Sequence, residues 1–119
     1  MAEPSVIDSE AIENLRALNP GDNDEFLREI IGIFLEDTPQ RLVELDQGLR
    51  TGDASLFVRA AHSIKGSSAN VGAAALRAAA EKLEHASRTE GLKNVTGLIT
   101  SVKTEFVRVR AELNKLVGK

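Results

Sequence analysis

The chain has 119 residues, 42% of them hydrophobic, and fifteen basic against eighteen acidic side chains leave a formal charge of -3. That length suits a single domain over 1–119, the charge lacks the gathered Lys and Arg of a duplex binder, and no apolar run nears the roughly 20 residues a membrane span needs. The absence of cysteine excludes disulfides, thiol chemistry and thiolate metal ligands and fits a reducing, cytoplasmic setting, and the acidic start MAEPSVIDSE has no basic stretch or apolar block of a secretory signal.

The apolar residues recur at spacings of three and four and never alternate with polar ones over a strand length, so every predicted element is a helix. The first begins near Asp8 or Ser9, either able to cap it, and carries Ile12, Leu15 and Leu18 down one side. Asn19-Pro20-Gly21-Asp22-Asn23 stops it. A longer helix follows from about Asp24 to Leu49, with a broad stripe of Phe26, Leu27, Ile30, Ile31, Phe34, Leu35, Leu42, Leu45 and Leu49. Pro39 falls inside it; the stripe resumes in phase afterwards, so a kink is expected rather than a fresh start.

Arg50-Thr51-Gly52 ends that run, and Asp53 caps a third helix reaching about Val71, with Gly72 as its terminating glycine. The fourth, roughly Ala73 to Arg88, uses Leu76, Ala79, Ala80 and Leu83 as its inner side. Gly91 separates it from a last helix, roughly Leu92 to Val117, striped by Val95, Leu98, Ile99, Val102, Phe106, Val109, Leu113 and Leu116. Four long amphipathic helices joined by short turns bury their stripes most economically as an antiparallel four-helix bundle, all-α, with the short first helix covering part of one end.

The third helix contains AHSIKGSSANVG, residues 61–72. At 100° per residue, Phe57, Ala60, Ile64 and Val71 lie opposite His62, and Leu56, Ala61 and Ser68 lie on the flanks. Ser55, Val58, Arg59, Lys65, Gly66 and Ala69 gather on the side of His62. The histidine therefore points away from the core side. Gly66, one turn further along the same face, costs the helix about 1 kcal/mol relative to alanine and removes a side chain that would crowd the imidazole.

A histidine nitrogen is a nucleophile near neutral pH because much of the imidazole is unprotonated. One ring nitrogen of His62 could attack phosphorus, with Lys65 offsetting charge on the phosphoryl oxygens and Gly66 leaving room for the donor. Ser67 and Ser68 read as packing or back-bonding hydroxyls, since no local acid–histidine–serine arrangement accompanies them. His62 and His85, the only imidazoles, are too far apart to form a local metal pair.

These residues closely resemble histidine-containing phosphotransfer domains, the four-helix modules of multistep two-component phosphorelays. The family pattern A-H-x-[LI]-K-G-[SA]-[SA]-x-x-[LVIF]-G stands here as Ala61 to Gly72, FLREIIGIFLEDTPQRL from Phe26 to Leu42 resembles the family's preceding helix, and Ala74 to Glu84 its following one. The resemblance implies that His62 accepts a phosphoryl group from a receiver-domain aspartyl phosphate and passes it to another receiver aspartate. It gives Lys65 the role of phosphoryl-stabilising cation and Gly66 that of steric clearance. From the helical projection alone, Ser55, Val58, Arg59 and Ala69, gathered around His62, are expected to form the partner-binding surface. The resemblance implies no cofactor in this chain, with magnesium supplied by the partner receiver, and receiver domains or a hybrid sensor kinase as partners. A monomer is expected, and one bundle leaves no separate ATP-binding α/β domain for kinase activity of its own. Some family members support the histidine through a glutamine of the next helix; this chain has none there, and His85, beside Glu84, reads as an ordinary structural or solvent-facing residue. The alternative is a non-catalytic helical adaptor for a receiver-like protein.

Overall fold

Each expected helix forms, and its ends follow from the chemistry of its turns. In the computed structural model, which describes residues 6–118, the helices are α1 (Ser9–Ala17), α2 (Glu25–Thr51), α3 (Ala54–Asn70), α4 (Ala74–Glu90) and α5 (Thr96–Leu116). The opening residues 1–5, part of the acidic start, lie outside the described residues, as does residue 119. There is no strand among the described residues, and none of their helices is long and apolar enough to cross a membrane.

Asp8 caps α1, its carboxylate accepting from the Glu10 N–H at 3.0 Å. Leu18 lies past the end of that helix and is exposed. Asn23 and Asp24 both take left-handed backbone conformations (φ 59° and 63°), which short polar residues tolerate better than others. The Asp22 carboxylate accepts from the Phe26 N–H at 2.9 Å, satisfying a donor in the first turn of α2. That helix then runs 27 residues, about 40 Å at 1.5 Å per residue. Solvent-facing Pro39 lies within it and does not divide it. The Asp53 carboxylate accepts from the Leu56 N–H at 3.0 Å and so opens α3.

The last helix starts at Thr96 rather than near Leu92. Gly91, with φ 75°, turns the chain out of α4, and the residues after it form the connection. Leu92 and Val95 belong to that connection yet pack on the core, so their spacing prolonged the helical pattern beyond the helix.

Helices α2 to α5 pack in series, α3 against both α2 and α4, and α5 closes on α2. Phe34 and Phe106 meet across that seam with ring centroids 6.0 Å apart. Fully buried Leu27, Ile31, Leu45, Phe57, Ile64, Leu76, Leu83, Val102, Val109 and Leu113 fill the centre, each large side chain stabilising the fold by about 1.5–3 kcal/mol. A Cβ on Gly48 would stand 3.2 Å from that of Phe57, so α2 and α3 approach closely there. The N-terminal helix straps the α3–α4 turn, where the Asp8 N–H donates to the Gly72 carbonyl at 2.8 Å. Gly72 combines φ 73° with a position where a Cβ would lie 2.7 Å from Ala11; only glycine satisfies both demands.

Candidate functional site: a histidine on a buried carboxylate

The inner face of α3 is fixed by Phe57, Ala60, Ala61, Ile64 and Ser68, all buried. Ala61, on the flank of the helical projection, is thus fully enclosed. Ser68 and Ser67 donate their hydroxyls to the Ile64 carbonyl at 2.5 and 3.3 Å, spending those groups on the helix itself. With that face anchored, His62 is held outward, its side chain 61% exposed.

One edge of the ring does have a protein partner. His62 Nδ1 lies 2.8 Å from Glu84 Oε2, across the α3–α4 contact. A carboxylate only accepts hydrogen bonds, so the proton of a neutral ring sits on Nδ1 and the lone pair is left on Nε2. The Glu84 side chain is 7% exposed and collects two further donors: Lys65 Nζ at 2.7 Å on Oε1 and an Arg88 guanidinium nitrogen at 2.8 Å on Oε2. Burial opposes ionisation of Glu84, but hydrogen bonds and charge attraction from Lys65 and His62 outweigh it and hold the carboxyl below its ordinary value.

Lys65 is therefore engaged with Glu84, its side chain 27% exposed. A Cβ built on Gly66 meets nothing within 4 Å, so this glycine does not serve a tight helix–helix contact. Around them Ser55, Arg59 and Ala69 are exposed, and Val58 is half-buried. His85 is exposed and lines a shallow depression with Lys65, Glu81, Glu84 and Arg88. Among the described residues no group of three or more His, Asp and Glu side chains forms a metal-binding cluster.

The Hpt domain family model matches residues 29–117. The chain belongs to the Hpt domain family. The match begins inside α2 and leaves α1 outside it. This Hpt domain is similar to histidine-containing phosphotransfer protein B (HptB) of Pseudomonas aeruginosa PAO1, with 29% identity, a TM-score of 0.84 and 95% of both chains covered. It also shares its fold with the histidine-containing phosphotransfer protein ZmHP2 of maize, at 22% identity and a TM-score of 0.84, over 95% of this chain and 83% of that one. No curated protein sequence matches it significantly. Histidine phosphotransfer within a phosphorelay is accordingly the role of this Hpt domain.

Glu84 is the residue of the site that sequence reasoning missed. Its signal was present in the helical projection of α4. Leu76, Ala80, Leu83 and Ser87 define the buried arc, and Glu84 continues that arc at its edge, where a carboxylate needs partners.

Proposed function

We propose that this Hpt domain takes a phosphoryl group from the aspartyl phosphate of one receiver domain onto His62 and delivers it to the aspartate of another. The observation that carries the reading is the Nδ1 contact with Glu84, which leaves Nε2 as the nucleophile on an exposed ring. The Nε2 lone pair attacks phosphorus as the P–O bond to the donor aspartate breaks, and the bonding electrons leave with that aspartate's carboxylate. The ring becomes an imidazolium bearing the phosphoryl group on Nε2. Its Nδ1 proton stays where it was, and the hydrogen bond to Glu84 becomes an ion pair.

Onward transfer runs the same steps in reverse toward the recipient aspartate. Glu84 holds the ring in one tautomer and one orientation, Lys65 adds positive potential beside it, and the open space at Gly66 admits the donor. The exposed side chains Ser55, Arg59 and Ala69, with half-buried Val58, form the surface on which a receiver docks. Magnesium belongs to that receiver, where it offsets charge on the transferring group.

The test is phosphoryl transfer from a phosphorylated receiver with magnesium to the wild-type chain and to His62→Gln. Wild type should gain an acid-labile, base-stable label and H62Q none, with unchanged circular dichroism because the ring is exposed. An acid-stable label on Ser67 or Ser68, or receiver binding without transfer as a passive adaptor would show, overturns the proposal.

A further inference from the structure

The Glu84 carboxylate has more positive partners than it needs while His62 is empty. Lys65 and Arg88 both contact it, so with a neutral ring the cluster carries one surplus positive charge. Phosphorylation of Nε2 brings about two negative charges and turns the ring into a cation, which removes the surplus. One of the two basic side chains must then be shared with the phosphoryl oxygens.

The geometry differs for the two. Among the described residues Lys65 is the only side chain on Oε1, at 2.7 Å, and it is half-buried. Withdrawing it would strand a carboxylate oxygen that water hardly reaches, at the full cost of an unmet buried acceptor. Arg88 shares Oε2 with His62 Nδ1, each at 2.8 Å, which puts those two nitrogens no more than twice that distance apart. When the ring turns cationic, its Nδ1–H satisfies Oε2 more strongly, and Arg88 becomes the dispensable partner. The Arg88 side chain is 59% exposed, one turn of α4 after Glu84, and lines the same depression as Lys65 and Glu84. Its planar fork also matches phosphoryl oxygens better than an ammonium does.

We infer that Arg88 is the phosphoryl-binding cation of the loaded state: it leaves Glu84 when His62 is phosphorylated and contacts the phosphoryl oxygens, while Lys65 stays on the carboxylate. The inference rests on His62 as the acceptor and adds a residue outside the α3 motif. A guanidinium on those oxygens favours the loaded ground state over a loose transition state, in which the phosphoryl oxygens carry less charge. It should therefore slow hydrolysis of the adduct.

The experiment loads the wild-type chain, Arg88→Ala and Arg88→Lys with phosphoramidate, a small donor that needs no partner protein. It follows decay of the phosphohistidine and the guanidinium resonances of ¹⁵N-labelled Arg88. Expected are an adduct about two- to fivefold shorter-lived in R88A, the range of an exposed ion pair, partial recovery in R88K, and a shift of the wild-type Arg88 signals on loading. Equal lifetimes in wild type and R88A, or Arg88 resonances unmoved by loading, would overturn the inference and leave the acceptor assignment standing. A wild-type chain that takes no label on His62 would sink both.

Discussion

Replacing Glu84 by alanine takes away the only hydrogen-bonding group that the described residues place on the His62 ring, while leaving the ring itself untouched. A hydrogen bond to a charged partner contributes about 1.5–3 kcal/mol net, and each 1.4 kcal/mol or so is tenfold in rate. Loss of the orienting bond should therefore slow loading of His62 about 10- to 100-fold. Glu84→Gln keeps an acceptor oxygen for Nδ1 but not the charge, a difference of about 1 kcal/mol, and should slow loading about fivefold. Single-turnover labelling with phosphoramidate measures both, with circular dichroism to check that the helices persist.

The same pair carries a pH signature. The Glu84 carboxyl lies below its ordinary value in the folded chain, so its ionised form is favoured by folding. That stabilisation is complete above the ordinary carboxyl range and is lost as pH falls through the lowered folded value. The wild type should melt above E84Q near neutrality, and the gap should close as pH falls through the lowered folded value of the Glu84 carboxyl. Loading of E84A at the wild-type rate with helicity intact would refute the positioning argument, and a melting gap independent of pH would refute the electrostatic one.

Three other substitutions probe separate parts of the molecule. Lys65→Ala should slow loading several-fold and raise the Glu84 carboxyl toward its ordinary value, since its first stabilising partner is gone; unchanged kinetics with an unchanged carboxyl titration by NMR would discount Lys65. Gly66→Leu projects into open space and should leave the melting temperature level or raise it by the equivalent of up to about 1 kcal/mol. Receiver-dependent transfer should fall at least about tenfold while phosphoramidate still loads the ring, and normal transfer from the receiver would show that clearance is not needed. Gly72→Ala meets both a positive φ and the Ala11 side chain and should cost about 1–3 kcal/mol in urea unfolding; a neutral result would mean the α1 strap yields freely.

The helical periodicity made the bundle legible because each helix buries a stripe and each turn holds a residue suited to it: Asp8 and Asp53 as caps, Gly52, Gly72 and Gly91 at positive φ. The start of α5 was obscured because burial does not distinguish a helix from a turn that also packs, as Leu92 and Val95 do. At the site, the outward placement of His62 and the open flank at Gly66 followed from one helix considered alone. The contact that sets the tautomer did not, because it joins residues 22 apart in sequence on two helices. Lys65 illustrates the same limit: its spacing put it beside the imidazole, but its engagement with Glu84 depends on how α3 and α4 come together.

A ring with well over half its surface in solvent gives bulk water nearly the access it gives a partner. In the proposed role, whatever it carries is on a clock, because so exposed a ring gives the bond little shelter once a receiver departs. Such a carrier passes on recent signals and forgets old ones, and the length of its memory is set by the few side chains that border the ring.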